Sequence, residues 1–105
     1  MSDILDRLET SIAQRRGASP DSSYVASLFA KGREKIAQKV GEEATEAVIA
    51  ALSGDPAKLT SEAADLLFHL MILLAEGGLS VNDVLAELER REGLSGLEEK
   101  AARKD

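Results

Sequence analysis

Ser61-Glu62-Ala63-Ala64-Asp65-Leu66-Leu67-Phe68-His69-Leu70-Met71-Ile72-Leu73-Leu74-Ala75 opens with two carboxylates three residues apart and continues as the most apolar run of the chain. Upstream, Asp55-Pro56 supplies a cap and a proline at the first helical position, and Gly77-Gly78 supplies a stop, so a helix is predicted from Pro56 to about Glu76. Because the run is apolar on nearly every side, it is expected at the centre of a bundle. Glu62 and Asp65, spaced i, i+3, share one face of that helix. Beside so much apolar surface, unpaired carboxylates are penalised by desolvation, which calls for a cation or a proton partner.

The preceding helix is predicted over Arg33–Ser53, with Ile36, Val40, Ala44, Ala47, Val48 and Ala51 as its apolar stripe and Gly54 as its stop. It carries a second pair, Glu43 and Glu46, in Lys39-Val40-Gly41-Glu42-Glu43-Ala44-Thr45-Glu46. At about 100° per residue, Glu43 falls at the edge of the stripe, Glu46 lies further round on the same side, and Glu42 points roughly opposite the stripe centre. Lys35 and Lys39 lie on the Glu43 and Glu46 side. One Glu-x-x-Glu is ordinary on a solvated face of a chain that is 30% charged. Two such pairs on adjacent helices are another matter, since hard oxygen ligands facing each other suit Mg²⁺ or Mn²⁺. Glu43, Glu46, Glu62 and Asp65 are therefore the expected metal ligands.

Elsewhere the chain reads as shorter helices. Ile4, Leu5, Leu8 and Ile12 recur at helical spacing after a Ser2 or Asp3 cap, and this helix ends near Arg16-Gly17. Past the turn at Ala18-Ser19-Pro20-Asp21-Ser22, a short helix runs from Ser22 or Ser23 to about Ala30 and stops at Gly32. Ser80-Val81-Asn82-Asp83 resembles a capping box with Asp in the Glu position, starting a fifth helix that reaches about Arg91 and is closed by Gly93. Ser95-Gly96-Leu97-Glu98-Glu99-Lys100 predicts a final short helix. With no strand pattern and no repeat, the expected fold class is all-α, a bundle of four to five helices in one domain over residues 1–105.

Composition removes several classes of function. The chain has no cysteine, hence no disulfide, thiolate metal site or cysteine nucleophile, which fits a reducing cytoplasm. Met1-Ser2-Asp3-Ile4 is not the start of a signal peptide, and the apolar run at Leu66 is about half a membrane span, so no membrane is expected. A net charge of -6 opposes a nucleic-acid surface. Local basic groups, Lys31, Arg33, Lys35 and Lys39, then Arg90, Arg91, Lys100, Arg103 and Lys104, either hold a small polyphosphate beside a metal or offset acidic faces and helix C-termini. A hydrophobic fraction of 44% is large for so small an interior, and Ile49 projects away from the stripe of its helix, so a homodimer is expected.

Glycine-rich phosphate loops are absent. A di-iron bundle would show Glu-x-x-His on two helices, whereas the single histidine, His69, falls four residues after Asp65 and seven after Glu62. His69 is read as a buried histidine satisfied by a backbone or carboxylate partner, with an outer contact to Asp65 as the functional alternative.

Glu42-Glu43-Ala44-Thr45-Glu46 followed by Glu62-Ala63-Ala64-Asp65 resembles the EExxE…ExxD signature of the all-α, MazG-like nucleoside-triphosphate pyrophosphohydrolases. Ser23-Tyr24-Val25-Ala26-Ser27-Leu28, Lys35-Ile36-Ala37-Gln38-Lys39-Val40-Gly41, Ala63-Ala64-Asp65-Leu66-Leu67-Phe68-His69-Leu70 and Ser95-Gly96-Leu97-Glu98-Glu99-Lys100 narrow the resemblance to the phosphoribosyl-ATP pyrophosphohydrolase family, over nearly the whole chain and without the cyclohydrolase domain fused in some relatives. The resemblance implies a dimeric enzyme of histidine biosynthesis that splits phosphoribosyl-ATP into phosphoribosyl-AMP and pyrophosphate. It implies Mg²⁺ on Glu43, Glu46, Glu62 and Asp65, and catalysis by Glu43, Glu46 and Glu42, with the identity of the general base left open. Lys35, Lys39, Arg91, Lys100 and Arg103 are the candidate phosphate contacts, and residues of one subunit are candidates to complete the partner's site. Two rivals stand beside this reading: a house-cleaning enzyme for noncanonical nucleoside triphosphates with the same metal chemistry, and a helical adaptor whose acids are only a surface.

Overall fold

A computed structural model describes residues 3–93, and among them it contains five helices and no strand: α1 (Asp3–Arg16), α2 (Tyr24–Lys31), α3 (Arg33–Ser53), α4 (Pro56–Glu76) and α5 (Val81–Arg91). The segment Ser95–Lys100, expected as a last helix, lies outside the described residues, as do Lys100 and Arg103.

Local chemistry accounts for where the helices begin and end. Ser23 Oγ accepts from the Ala26 amide at the start of α2, and Asp55 Oδ1 accepts from the Ala57 amide at the start of α4, where Pro56 occupies a position whose amide would have no helical partner. Ser80 and Asp83 form the reciprocal capping box of α5. A single residue, Gly32, separates α2 from α3: its amide bonds the carbonyls of Leu28 and Phe29 while its own carbonyl accepts from the Ile36 amide, at φ +93°. Only glycine adopts that dihedral without strain, so the sharp change of direction is written into the residue type.

The two 21-residue helices α3 and α4 fold back on each other through Gly54 and Asp55 as a hairpin, the longest packed contact in the molecule. Ile12 from α1, Val25 and Leu28 from α2, Ile36 from α3, Met71 and Ile72 from α4, and Val81 from α5 make the core. All of them lie toward the end of the hairpin where α3 starts and α4 finishes. Polar ties hold the short helices there. Glu9 of α1 accepts from the Val81 amide at 2.7 Å and from the Ser80 hydroxyl, while Arg16 donates to the Ala75 carbonyl and lies 4.4 Å above the centre of the Phe29 ring.

One expectation holds and one changes. The apolar run in the second half of α4 is central, while the first half of the helix is exposed because α1, α2 and α5 do not reach that end of the hairpin. Val48, Ile49, Leu52 and Leu59 are consequently exposed, Leu52 at 83%. The buried seam of α3 is rotated from the expected stripe. It runs Ile36, Val40, Glu43, Ala47, Ala50, in alternating steps of four and three, leaving Val48 and Ala51 outside. This is the spacing of two helices packed nearly antiparallel, and it places a carboxylate where a coiled-coil seam would hold an apolar side chain.

Ile72 is fully buried where the helices converge. Ile72→Ala is expected to lower unfolding free energy by about 2–5 kcal/mol and Ile72→Val by about 0.5–1.5 kcal/mol in urea titrations; equal effects of the two would contradict this core.

Candidate active site

Hairpin geometry brings the two acidic pairs together. Glu43 lies eleven residues before Gly54 and Asp65 eleven after it, so the antiparallel helices carry them at the same level. One carboxylate oxygen from each of Glu43, Glu62 and Asp65 lies within 4.8 Å of the other two. Oxygens around Mg²⁺, each at about 2.0–2.1 Å, are at most about 4.2 Å apart, so small side-chain rotations would close this trio on one ion. Glu43 is 7% exposed, Glu62 is half-buried and Asp65 is exposed, giving the trio a closed floor and an open mouth. Glu62 Oε2 is enclosed and has no hydrogen-bond partner among the described residues. An orphaned carboxylate oxygen is costly unless a cation or a proton meets it, so the donor set fits a hard divalent ion.

Glu46 stands outside this trio and meets Glu43 directly. A hydrogen bond between the two carboxyl groups, then burial, then repulsion from Glu46 push Glu43 up to about 7; Lys39 opposes the rise and Asp65 adds to it. Two carboxylates in contact share a proton when no cation is present.

Around the pair lie groups that hold charge of the other sign. Burial pulls the Lys39 ammonium down, but Tyr24, Glu43, Glu42 and Glu46 together outweigh it and leave Lys39 above its ordinary value. Glu42 accepts from the Gln38 amide at 2.8 Å and lies 3.7 Å from Lys39; the Gln38 bond is the main reason that its carboxyl sits below the usual range. Glu42 therefore stays ionised beside Lys39, apart from the trio. Lys39, Glu42, Glu43, Thr45 and Glu46 line a cleft of about 350 Å³. On the other flank Glu46, Ile49, Ala50, Ser53, Lys58 and Glu62 line a second of about 370 Å³, so Glu46 borders both.

Lys58 escaped the sequence reading, which looked for basic groups in clusters. Its signal was available, since Lys58 precedes Glu62 by one helical turn. It makes no ion pair with any described residue, in contrast to Arg91, whose guanidinium bonds Glu87 on α5 at 2.9 Å. Lys35 is half-buried one turn before Lys39 and acts on Glu42. His69 is buried with both ring nitrogens engaged, one by the Tyr24 hydroxyl and the other by the Asp65 main-chain carbonyl. Its partner is thus the backbone of Asp65, not its carboxylate.

The sequence pattern of phosphoribosyl-ATP pyrophosphohydrolase matches residues 5–92. A phosphoribosyl-ATP pyrophosphatase of Rhizorhabdus wittichii is 68% identical over 103 residues, covering 98% of this chain and 97% of that protein. Proteins of the same name from Erythrobacter litoralis and Dinoroseobacter shibae are 65% and 62% identical, over 96% and 95% of this chain and 97% and 98% of their own lengths. With its acidic hairpin and this near end-to-end similarity, the chain belongs to the phosphoribosyl-ATP pyrophosphohydrolase family.

Proposed function

We propose that the chain, as a single catalytic domain, hydrolyses phosphoribosyl-ATP to phosphoribosyl-AMP and pyrophosphate in L-histidine biosynthesis, with Mg²⁺ held by Glu43, Glu62 and Asp65. The observation that carries this reading is the converging trio with its orphaned Glu62 oxygen, on a chain of this family. Mg²⁺, or Mn²⁺, would supply the positive charge that lets a carboxylate site accept a polyphosphate and that stabilises the leaving pyrophosphate.

The chain's own residues divide the remaining work. Glu46, in contact with Glu43 and at the border of both clefts, is placed to orient a water and take its proton as the water oxygen attacks phosphorus and the α,β-anhydride P–O bond breaks. Glu42 keeps Lys39 in place. Lys39 and Lys35 on one flank, and Lys58 on the other, are the phosphate contacts we favour among the described residues, with Arg91, Lys100 and Arg103 as further candidates. A homodimer in the cytoplasm completes the reading: Val48, Ile49 and Leu52 form an apolar face on the protruding hairpin that a second copy would cover.

Pyrophosphate release from phosphoribosyl-ATP, abolished by EDTA and restored by Mg²⁺, tests the activity; faster turnover of noncanonical nucleoside triphosphates would favour the house-cleaning rival. Glu46→Gln and Asp65→Asn should each lose activity by about two orders of magnitude or more with unchanged helical circular dichroism, and full activity in either would sink the site assignment. Light scattering should show a dimer at micromolar concentration, and Ile49→Asp should shift it toward monomer; a monomeric wild type would refute the dimer.

The sign of the Glu43 shift sets a pH dependence. Its folded value, about 7, stands above the ordinary 4.5, so the folded state binds the proton more tightly. That stabilisation is full below about pH 4.5 and is lost as pH rises through about 7. Glu87, held down to about 2 chiefly by hydrogen bonds from Arg90 and Arg91, acts in the opposite sense and in a separate window, its contribution being lost as pH falls from 4.5 toward 2. Metal-free protein should therefore have a lower denaturant midpoint at about pH 8 than at about pH 5.5, and Mg²⁺ should raise the midpoint more at the higher pH. A Mg²⁺ effect independent of pH would contradict the coupled Glu43 and Glu46 pair.

A further inference from the structure

We infer that Tyr24 and His69 are a positioning pair for Asp65, fixing the turn of α4 that would present this carboxylate to the metal; the inference rests on the metal-site reading above and extends it to two residues outside the acidic trio. His69 Nδ1 lies 2.7 Å from the main-chain oxygen of Asp65, and His69 Nε2 lies 2.7 Å from the Tyr24 hydroxyl. A carbonyl oxygen can only accept, so Nδ1 carries the imidazole proton. In the neutral ring Nε2 is then the acceptor and Tyr24 O–H the donor. The chain of bonds has one direction, from α2 through the imidazole to the backbone of α4.

The Asp65 carbonyl already accepts the helical bond from the His69 amide, and the imidazole takes its second lone pair. The ring is 4% exposed and packed edge-on against Phe68, with ring centres 5.4 Å apart, and against Tyr24, at 5.7 Å. It has little room to rotate. Asp65 itself is exposed and lies opposite the buried Glu43, so the bond to its own carbonyl adds a buried restraint to a ligand whose carboxylate faces the open side. Tyr24 stands at the start of α2, directly after the Ser23 cap, and thereby couples the small helical cap of the molecule to the ligand turn. Partners hydrogen-bonded to a ligating group are commonly worth tenfold or more in metal affinity, and a bond to the backbone of the ligand residue is expected at the lower end of that range.

The test is Mn²⁺ binding to substrate-free protein, followed by electron paramagnetic resonance of the free ion at a temperature where circular dichroism shows every variant folded. Tyr24→Phe keeps the ring and removes the donor; His69→Gln keeps a polar group toward Tyr24 and removes the donor to Asp65. Each should weaken Mn²⁺ binding about tenfold, and the double variant should be no weaker than the singles, because the two act through one chain of bonds. Since the sequence holds a single histidine, its ¹⁵N imidazole resonances have one source and should show the neutral Nδ1–H tautomer in wild type. Wild-type Mn²⁺ affinity in folded Tyr24→Phe and His69→Gln, with only melting temperature lowered, would mean a purely structural pair and would overturn the inference, as would an Nε2–H tautomer. Asp65→Asn is the control: if it binds Mn²⁺ as wild type does, the metal-site reading itself fails, whereas loss in Asp65→Asn with no loss in the other two defeats the positioning role alone.

Discussion

The packing of α3 against α4 buries a carboxylate, and much of the molecule is arranged around that constraint. Glu43 occupies a seam position between Val40 and Ala47 where an apolar side chain would pack with no charge to satisfy. Across from it stand Glu62, whose inner oxygen has no partner among the described residues, and Asp65. Three acids at one level of a two-helix contact weaken that contact unless something positive joins them or a proton is shared. The contact between Glu43 and Glu46 is the second of these solutions, and a divalent ion is the first. Carboxylate repulsion across the hairpin and a donor set that fits a hard cation are thus two aspects of one arrangement.

A site of this kind needs rigid support on one side and access on the other, and the distribution of the core provides both. The seven residues of the core cluster gather at the end where α3 begins and α4 finishes, clamped by Glu9 on the start of α5, by Arg16 on the end of α4 and by the ion pair of Arg33 with Glu76. From that base the rest of the hairpin extends with exposed Val48, Ile49 and Leu52. The acidic trio sits between the two regions. Its floor is fixed by the core, and the two clefts that open beside it are lined by residues of α3 and of the first half of α4. Lysines on both flanks, Lys39 and Lys58, set positive charge beside an otherwise acidic region.

The sequence by itself determined the local structure and the chemical type of the site. Glycines at positions 32 and 54, the Asp55-Pro56 start and the Ser80 capping box act within a few residues of backbone, so the helix boundaries followed from them to within a residue or so. The i, i+3 spacing of Glu43 with Glu46 and of Glu62 with Asp65 is equally local, and that it gathers carboxylate oxygens needed no knowledge of packing. Tertiary structure alone decided which acids meet. Helical periodicity gives the angle of a side chain about its own axis but not the rotation or register of one helix against another, which here follow from the two-residue turn at Gly54 and Asp55. That register moved Glu43 from the edge of the stripe into the seam, joined it to Glu62 and Asp65 with Glu46 outside the trio, brought Lys58 of α4 into one cleft with Glu46 and Ile49 of α3, and delivered Tyr24, forty-five residues away in the chain, to the ring of His69. The lengths of α1, α2 and α5 were legible one by one, yet only their convergence on one end of the hairpin showed that half of α4 lacks cover, because burial belongs to the assembled surfaces and not to any segment alone.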